Sequence, residues 1–223
     1  MDIKVNPSLN FSARNKTIRF ADDIARKVNK EFPRISNSML EGMDSVEKGH
    51  FKVLLLNYSS FVGAVRYMQT NAFKKGRTFE DKLLALLSPI KRFRVGNCSE
   101  AGELSTFAAR VNGIENAQMR HLTSPDGTLY DHIVTYVPDK KPYIIDAWLG
   151  FADYVPNAIK RYQKEYSRYF DFEAVGTDKI VCDEIKTKFN LVDFVNKKMS
   201  KDELETVKRV YPEMLIKKNI DKM

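Results

Sequence analysis

Apolar side chains recur at helical spacing through the first part of the chain. Ile18, Ala21, Ile24, Ala25 and Val28 share one stripe and predict a helix over residues 17–31, ended by Pro33. Residues 1–15 show no period and read as a flexible N-terminus. Ser36 to Glu47 predicts a short second helix. Phe51 to Met68 predicts a longer one, with Val53, Leu54, Phe61, Ala64, Val65 and Met68 on its apolar face and Gly76 breaking the pattern. Thr78-Phe79-Glu80-Asp81 has the form of a capping box; Leu83, Leu84 and Leu87 follow it, and Ser88-Pro89 is expected to stop that helix.

The period then changes. Cys98 to Asn112 predicts a helix with Ala101, Leu104, Ala108 and Val111 in its stripe and Gly113 at its end. Strand patterns follow at Ala117–Leu122, Leu129–Val137 and Tyr143–Trp148, separated by a turn at Ser124-Pro125-Asp126-Gly127 and a hairpin tip at Asp139-Lys140-Lys141. Val155 to Phe170 predicts an amphipathic helix in which Tyr162, Tyr166 and Tyr169 alternate with Lys and Arg, so a solvated or docking face is expected there. Phe172 to Val175 reads as an edge strand. Ser200-Lys201-Asp202-Glu203 is a second capping box, opening a helix to Val210 that Pro212 ends. Residues 213–223 read as a basic tail. Helices, then a helix feeding an antiparallel sheet, then helices again define an α+β chain, with residues 16–212 as one domain.

Composition narrows the class. Of 223 residues, 43% are hydrophobic and 30% charged, which describes a globular protein rather than a disordered one. The longest apolar run, Phe51 to Met68, is interrupted by Asn57, Ser59, Ser60 and Arg66, so no bilayer-spanning segment is expected. The N-terminus has no apolar signal-peptide core; the expected location is the cytoplasm, or a host cell reached without a cleaved signal. Cys98 and Cys182 are too few for a disulfide framework, and reduced thiols are the simpler reading. The net charge of +8 is uneven: Gly96 to Gly150 has four basic and seven acidic side chains, so this stretch is −3 and the flanks carry +11. Basic flanks suit an acidic partner protein or an anionic membrane surface, and no nucleic-acid-binding signature accompanies them.

Chemistry concentrates in the mildly acidic middle. Cys98 stands at a helix start, where the macrodipole and the N–H groups of the first turn favour a thiolate and an oxyanion. His132 and Asp146 stand in adjacent strands. A hairpin tip centred on Asp139 sets the two directly opposite each other, and period two puts His132, Val134 and Tyr136 on the face that meets Ile144, Asp146 and Trp148. Thiol, imidazole and carboxylate then form a nucleophile, a base and an orienting group. Asn97, Ser99 and Trp148 flank them and are the expected substrate-binding or oxyanion positions. Phosphate loops, dinucleotide fingerprints and metal-binding His pairs are absent from the sequence, so neither a cofactor nor a metal is expected.

Gly96-Asn97-Cys98-Ser99-Glu100, followed by Ala108-Ala109-Arg110-Val111-Asn112-Gly113-Ile114, resembles the core of the transglutaminase-like superfamily. There a Gly-x-Cys opens a helix that ends in Arg-x-x-Gly-Ile. Asp131-His132-Ile133-Val134 and Tyr143-Ile144-Ile145-Asp146-Ala147-Trp148 look like that family's His and Asp strands. The resemblance covers about residues 95–150. It implies a papain-like core with Cys98 as nucleophile, His132 as general base and acid, and Asp146 orienting His132. Ser99 replaces the aromatic often seen after the Cys, and Ile133 follows His132 where Ala-Trp is common. Members of the family transamidate, deamidate, hydrolyse peptides or amides, or serve as inactive scaffolds, so the resemblance leaves the acyl acceptor open. The expected activity is acyl transfer from carboxamides of a protein substrate through a Cys98 thioester. A thiol protease or amidase and a binding module of the same fold are the alternatives. The small, Lys- and Asn-rich chain also resembles effector proteins that bacterial pathogens deliver into host cells.

Overall fold

The computed structural model describes residues 16–31, 61–94, 96–123, 132–166, 181–183 and 190–216, and these form an α+β arrangement. The N-terminal helices are α1 (Lys16–Glu31), α2 (residues 61–75), α3 (Phe79–Phe93) and α4 (Cys98–Val111). Strands β1 (Gln118–Thr123), β2 (His132–Val137), β3 (Tyr143–Asp146) and β4 (Phe151–Tyr154) follow, then α5 (Val155–Tyr166), β5 (Val181–Asp183), α6 (Asn190–Asn196) and α7 (Lys201–Val210). The sheet order is β4-β3-β2-β1-β5, with every neighbouring pair antiparallel.

The sheet is covered on both faces. Met119, Ile133, Val137, Ile145 and Ala152 point into a large core shared with α1, α3 and α4. Leu122, Val134, Ile144 and Phe151 point the other way, into a smaller core closed by Ala158, Ile159 and Tyr162 of α5. Alternation along each strand sorts the side chains between these cores. Helix α4 is central: every residue from Glu100 to Val111 is buried. Several of its polar side chains bond across to other elements. Ser105 and Thr106 share hydrogen bonds of 2.7 and 2.8 Å with the Thr135 hydroxyl, which fastens α4 to β2. The Arg110 guanidinium donates to the carbonyls of Ala117, Val195, Asn196 and Lys197, the last three at the C-terminal end of α6. Burial lowers the pKa of Arg110 to about 10.

Several sequence expectations need correction. The α1 stripe is buried as expected, and both capping boxes form, with Asp81 N–H donating to Thr78 at 3.0 Å and Glu203 N–H to Ser200 at 3.2 Å. Helix α2 turns a different face inward: Val62, Val65, Gln69 and Phe73 are buried while Phe61 and Met68 are exposed. Gln69 disguised that face, because its buried amide donates to the Leu86 carbonyl at 2.7 Å and looks polar only in sequence. Pro89 does not stop α3; it lies inside the helix, where burial of Leu86, Leu87 and Ile90 outweighs the lost backbone bond. The third strand ends at Asp146, and residues 147–150 form a turn into β4, which the sequence pattern did not announce. Tyr162 faces the interior and is fully buried, so that side of α5 is neither solvated nor a docking face. Met214 is buried, and Leu215 and Ile216 pack on the large core, so the chain past Pro212 begins docked.

The helix expected at 36–47, residues 51–60, the turn at 124–127, residues 129–131, the strand at 172–175, and the two ends at 1–15 and 217–223 lie outside the described residues. Among the described residues no helix is long and apolar enough to cross a membrane.

Candidate active site

Cys98 is the first residue of α4, and the chain before it is shaped to put it there. The Glu100 carboxylate folds back to accept the Asn97 N–H at 2.7 Å. It also pairs with Arg66 of α2, whose Nε lies 2.7 Å away. A Cβ on Gly96 would stand 2.7 Å from the Glu100 Cβ, so glycine is what lets the capping carboxylate close over the turn. One turn on, a Cβ on Gly102 would stand 2.8 Å from Ile133 Cγ2. Its absence lets α4 lie close on β2 and brings the helix start toward His132. Cys98 is half-buried and carries a thiol rather than a disulfide.

His132 and Asp146 are 1% exposed and joined by a 2.7 Å contact between Nε2 and Oδ2. The hairpin register is not the one expected. Thr135 pairs with Ile145, Tyr136 with Ile144 and Val137 with Tyr143, so the tip centres on Lys140 and His132 is not directly opposite Asp146. The shift is an even number of positions, which keeps both side chains on the same face, and the carboxylate reaches the ring diagonally. Three donors converge on Asp146: His132, the Tyr162 hydroxyl at 2.7 Å and the Leu149 N–H at 2.9 Å. Asp146 thus both orients His132 and closes its own turn, which its carbonyl completes by accepting the Gly150 N–H. Asn29 of α1 clamps the same turn through the carbonyls of Ala147 and Trp148.

The electrostatics follow from this arrangement. Burial favours neutral His132, but the Asp146 charge, the hydrogen bond to it and the hydrogen bond to Cys98 outweigh that and hold the imidazolium up to about 10. Burial raises the Asp146 carboxyl, yet the His132 charge and the three donors carry it below the usual aspartate value. With Nε2 committed to Asp146, Nδ1 is the ring nitrogen left for the Cys98 thiol. Thiol, imidazole and carboxylate therefore meet in the expected order. Trp148 lies against the imidazole with ring centroids 5.3 Å apart, and its buried Nε1 has no hydrogen-bond partner among the described residues. The Tyr162 ring meets His132 edge-on at 5.9 Å. Together these rings shield the His132–Asp146 pair from water.

Of the flanking positions, Asn97 belongs to the capped turn and Ser99 lines a separate cavity with Arg66, Gln69 and Glu103. Tyr162 and Asn29 are the site residues that sequence reasoning missed. Tyr162 carried one usable signal: it falls one helical turn after Ala158, on the apolar stripe rather than among the charges. Among the described residues no group of three or more His, Cys, Asp and Glu side chains is gathered to hold a metal ion. No protein-family model, no curated protein and no solved structure matches the chain.

Proposed function

We propose that the protein is a cysteine-dependent acyl-transfer enzyme with a papain-like core of the transglutaminase type, acting on carboxamide side chains of a protein substrate. Support for this reading is the buried His132–Asp146 pair, with the imidazole bonded to a half-buried thiol at a helix start. A structural cysteine does not require a shielded imidazolium beside it.

In this reading the Cys98 thiolate attacks the carbonyl carbon of a glutamine side chain. The first turn of α4 offers N–H groups to the oxygen that becomes negative. The C–N bond breaks as the His132 imidazolium gives its proton to the departing ammonia. The resulting thioester is then attacked by water, giving glutamate, or by an amine, giving a new amide. His132 takes a proton from that nucleophile, and the C–S bond breaks to restore the thiolate. Asp146 holds the ring in place and balances its charge throughout.

The test is mass spectrometry of protein lysates treated with wild type and with Cys98→Ala. Amide-to-acid conversion or cross-links on particular glutamines, seen with wild type alone, is the expected result. New chain termini would assign a protease instead. Identical lysates would leave a binding module of the same fold.

A further inference from the structure

Beside the first turn of α4 a cavity of about 270 Å³ opens between α2, α4, β1 and α6. Met119, Leu191, Val192 and Val195 give it apolar walls. Its polar lining is unevenly satisfied. Glu100 is complete, holding both the Asn97 N–H and the Arg66 guanidinium. Glu103, more than nine-tenths buried, receives only a long 3.4 Å bond from Gln69 Nε2. Its Oε1 has no donor among the described residues. Gln69 is buried as deeply, and its Nε2 is fixed by the Leu86 carbonyl at 2.7 Å. The Gln69 Oε1 therefore faces the other way, again without a donor among the described residues. Each of these side chains thus keeps one acceptor oxygen without a protein donor among the described residues, beside a cavity that both line. A ligand that brings N–H donors into the cavity would complete them.

The missing partner has a definite chemistry. It supplies several N–H donors from one compact head, which an ammonium does and a hydroxyl or carbonyl does not. It brings positive charge, because Arg66 makes its ion pair with Glu100 and reaches Glu103 only through its field, with no direct bond. It has an apolar stem to lie along the Met119, Leu191 and Val195 walls. We infer that this cavity is a recognition subsite for an alkylammonium group, namely a lysine side chain of the protein substrate near the carboxamide that Cys98 attacks. The lysine assignment rests on the acyl-transfer reading above, whereas the alkylammonium preference rests on the cavity alone. Burial and the neighbouring Glu100 charge hold the empty Glu103 carboxyl well above the usual range, and a cation beside it converts it to an ion pair.

The experiment has two arms. In the first, the purified full chain is titrated with n-pentylammonium and with 1-pentanol, using chemical-shift changes as readout. Pentylammonium is expected to bind at least about tenfold more tightly, the effect of one charge-assisted hydrogen bond. Glu103→Gln should abolish that preference, and Val192→Trp, which fills the mouth, should abolish binding of both probes. Equal binding of the two probes, or a preference that survives in Glu103→Gln, overturns the site. In the second arm, glutamines modified in lysates are sorted by their neighbouring residues. Enrichment of lysine with wild type, lost with Glu103→Gln, supports the subsite, and modification with no such bias overturns its role in the reaction. A preference in the first arm with no modified glutamine in the second would leave the cation site standing and remove the acyl-transfer reading.

Discussion

His132 Nε2 and Asp146 Oδ2 lie 2.7 Å apart across a diagonal of the β2–β3 hairpin, not across a directly paired position. A diagonal neighbour is farther away at the backbone than an opposed one, so the carboxylate needs additional restraints to stay aimed. Tyr162, Leu149 and, through the turn carbonyls, Asn29 supply them.

Replacing Asp146 by Asn disturbs both the charge and the count of acceptors. His132, Tyr162 and Leu149 all donate to this side chain, and an amide accepts only through its oxygen. One donor is left unpaired, for a stability loss of about 1–3 kcal/mol. The acyl-transfer rate should fall by at least about a hundredfold, since the ring loses its counter-charge and its preferred tautomer. Tyr162→Phe removes one donor and leaves the charge, so its loss should be smaller, about tenfold or less in rate. Melting curves and single-turnover rates measured together check both variants; a Tyr162→Phe defect as large as that of Asp146→Asn would contradict this ranking.

Cys98→Ala should abolish turnover by more than about a thousandfold while leaving the melt close to wild type, because the thiol is half-buried at a helix end. His132→Ala should be as damaging to rate, and the double variant no worse than either single one. Additive losses on a logarithmic scale would show that the two side chains act separately.

The buried pair makes stability depend on pH with a definite sign. His132 has its folded pKa raised from 6.5 to about 10, so its stabilising contribution is full below pH 6.5 and is lost as pH climbs toward 10. Asp146 is shifted down from 3.8, so its contribution is full above that value and is lost as pH falls through its lowered folded pKa. The melting-temperature gap between wild type and His132→Gln should therefore be widest between pH 3.8 and 6.5 and narrow steadily on the alkaline side. A gap that widens from pH 7 to 10 would mean that the ring is neutral in the folded protein.

Gly102→Ala should cost about 1–3 kcal/mol by overpacking, because its Cβ would stand 2.8 Å from Ile133 Cγ2. Pushing α4 off β2 also separates Cys98 from His132, so the rate should drop more than the melt alone would suggest. Adding Ile133→Ala makes room and should recover part of both. No recovery in the double variant would show that the helix does not depend on this contact.

Much of the site was legible because its signals are local or depend only on parity. A Gly-x-Cys before a helical stripe places Cys98 at a helix start without knowledge of the rest of the fold. The His132–Asp146 pairing survived a wrong register because an even shift leaves the faces unchanged. Other features had no room to declare themselves. The strands β4 and β5 and the helix α6 run for only three to seven residues, too short for a period to repeat. The inward face of α2 was hidden by Gln69, and the role of Tyr162 by the basic residues around it. In both cases a polar atom meets its partner deep inside, and sequence alone does not reveal which partner that is.

Arg110 has a mechanical consequence. A helix as short as α6 has little stability of its own, and the guanidinium that gathers its last carbonyls belongs to α4, the helix that begins with Cys98. The Cys98 sulfur and the α6 wall of the neighbouring cavity are thus both tied to one helix, about 20 Å long at 14 residues. A displacement of α4 would therefore carry the thiol and the cavity wall together.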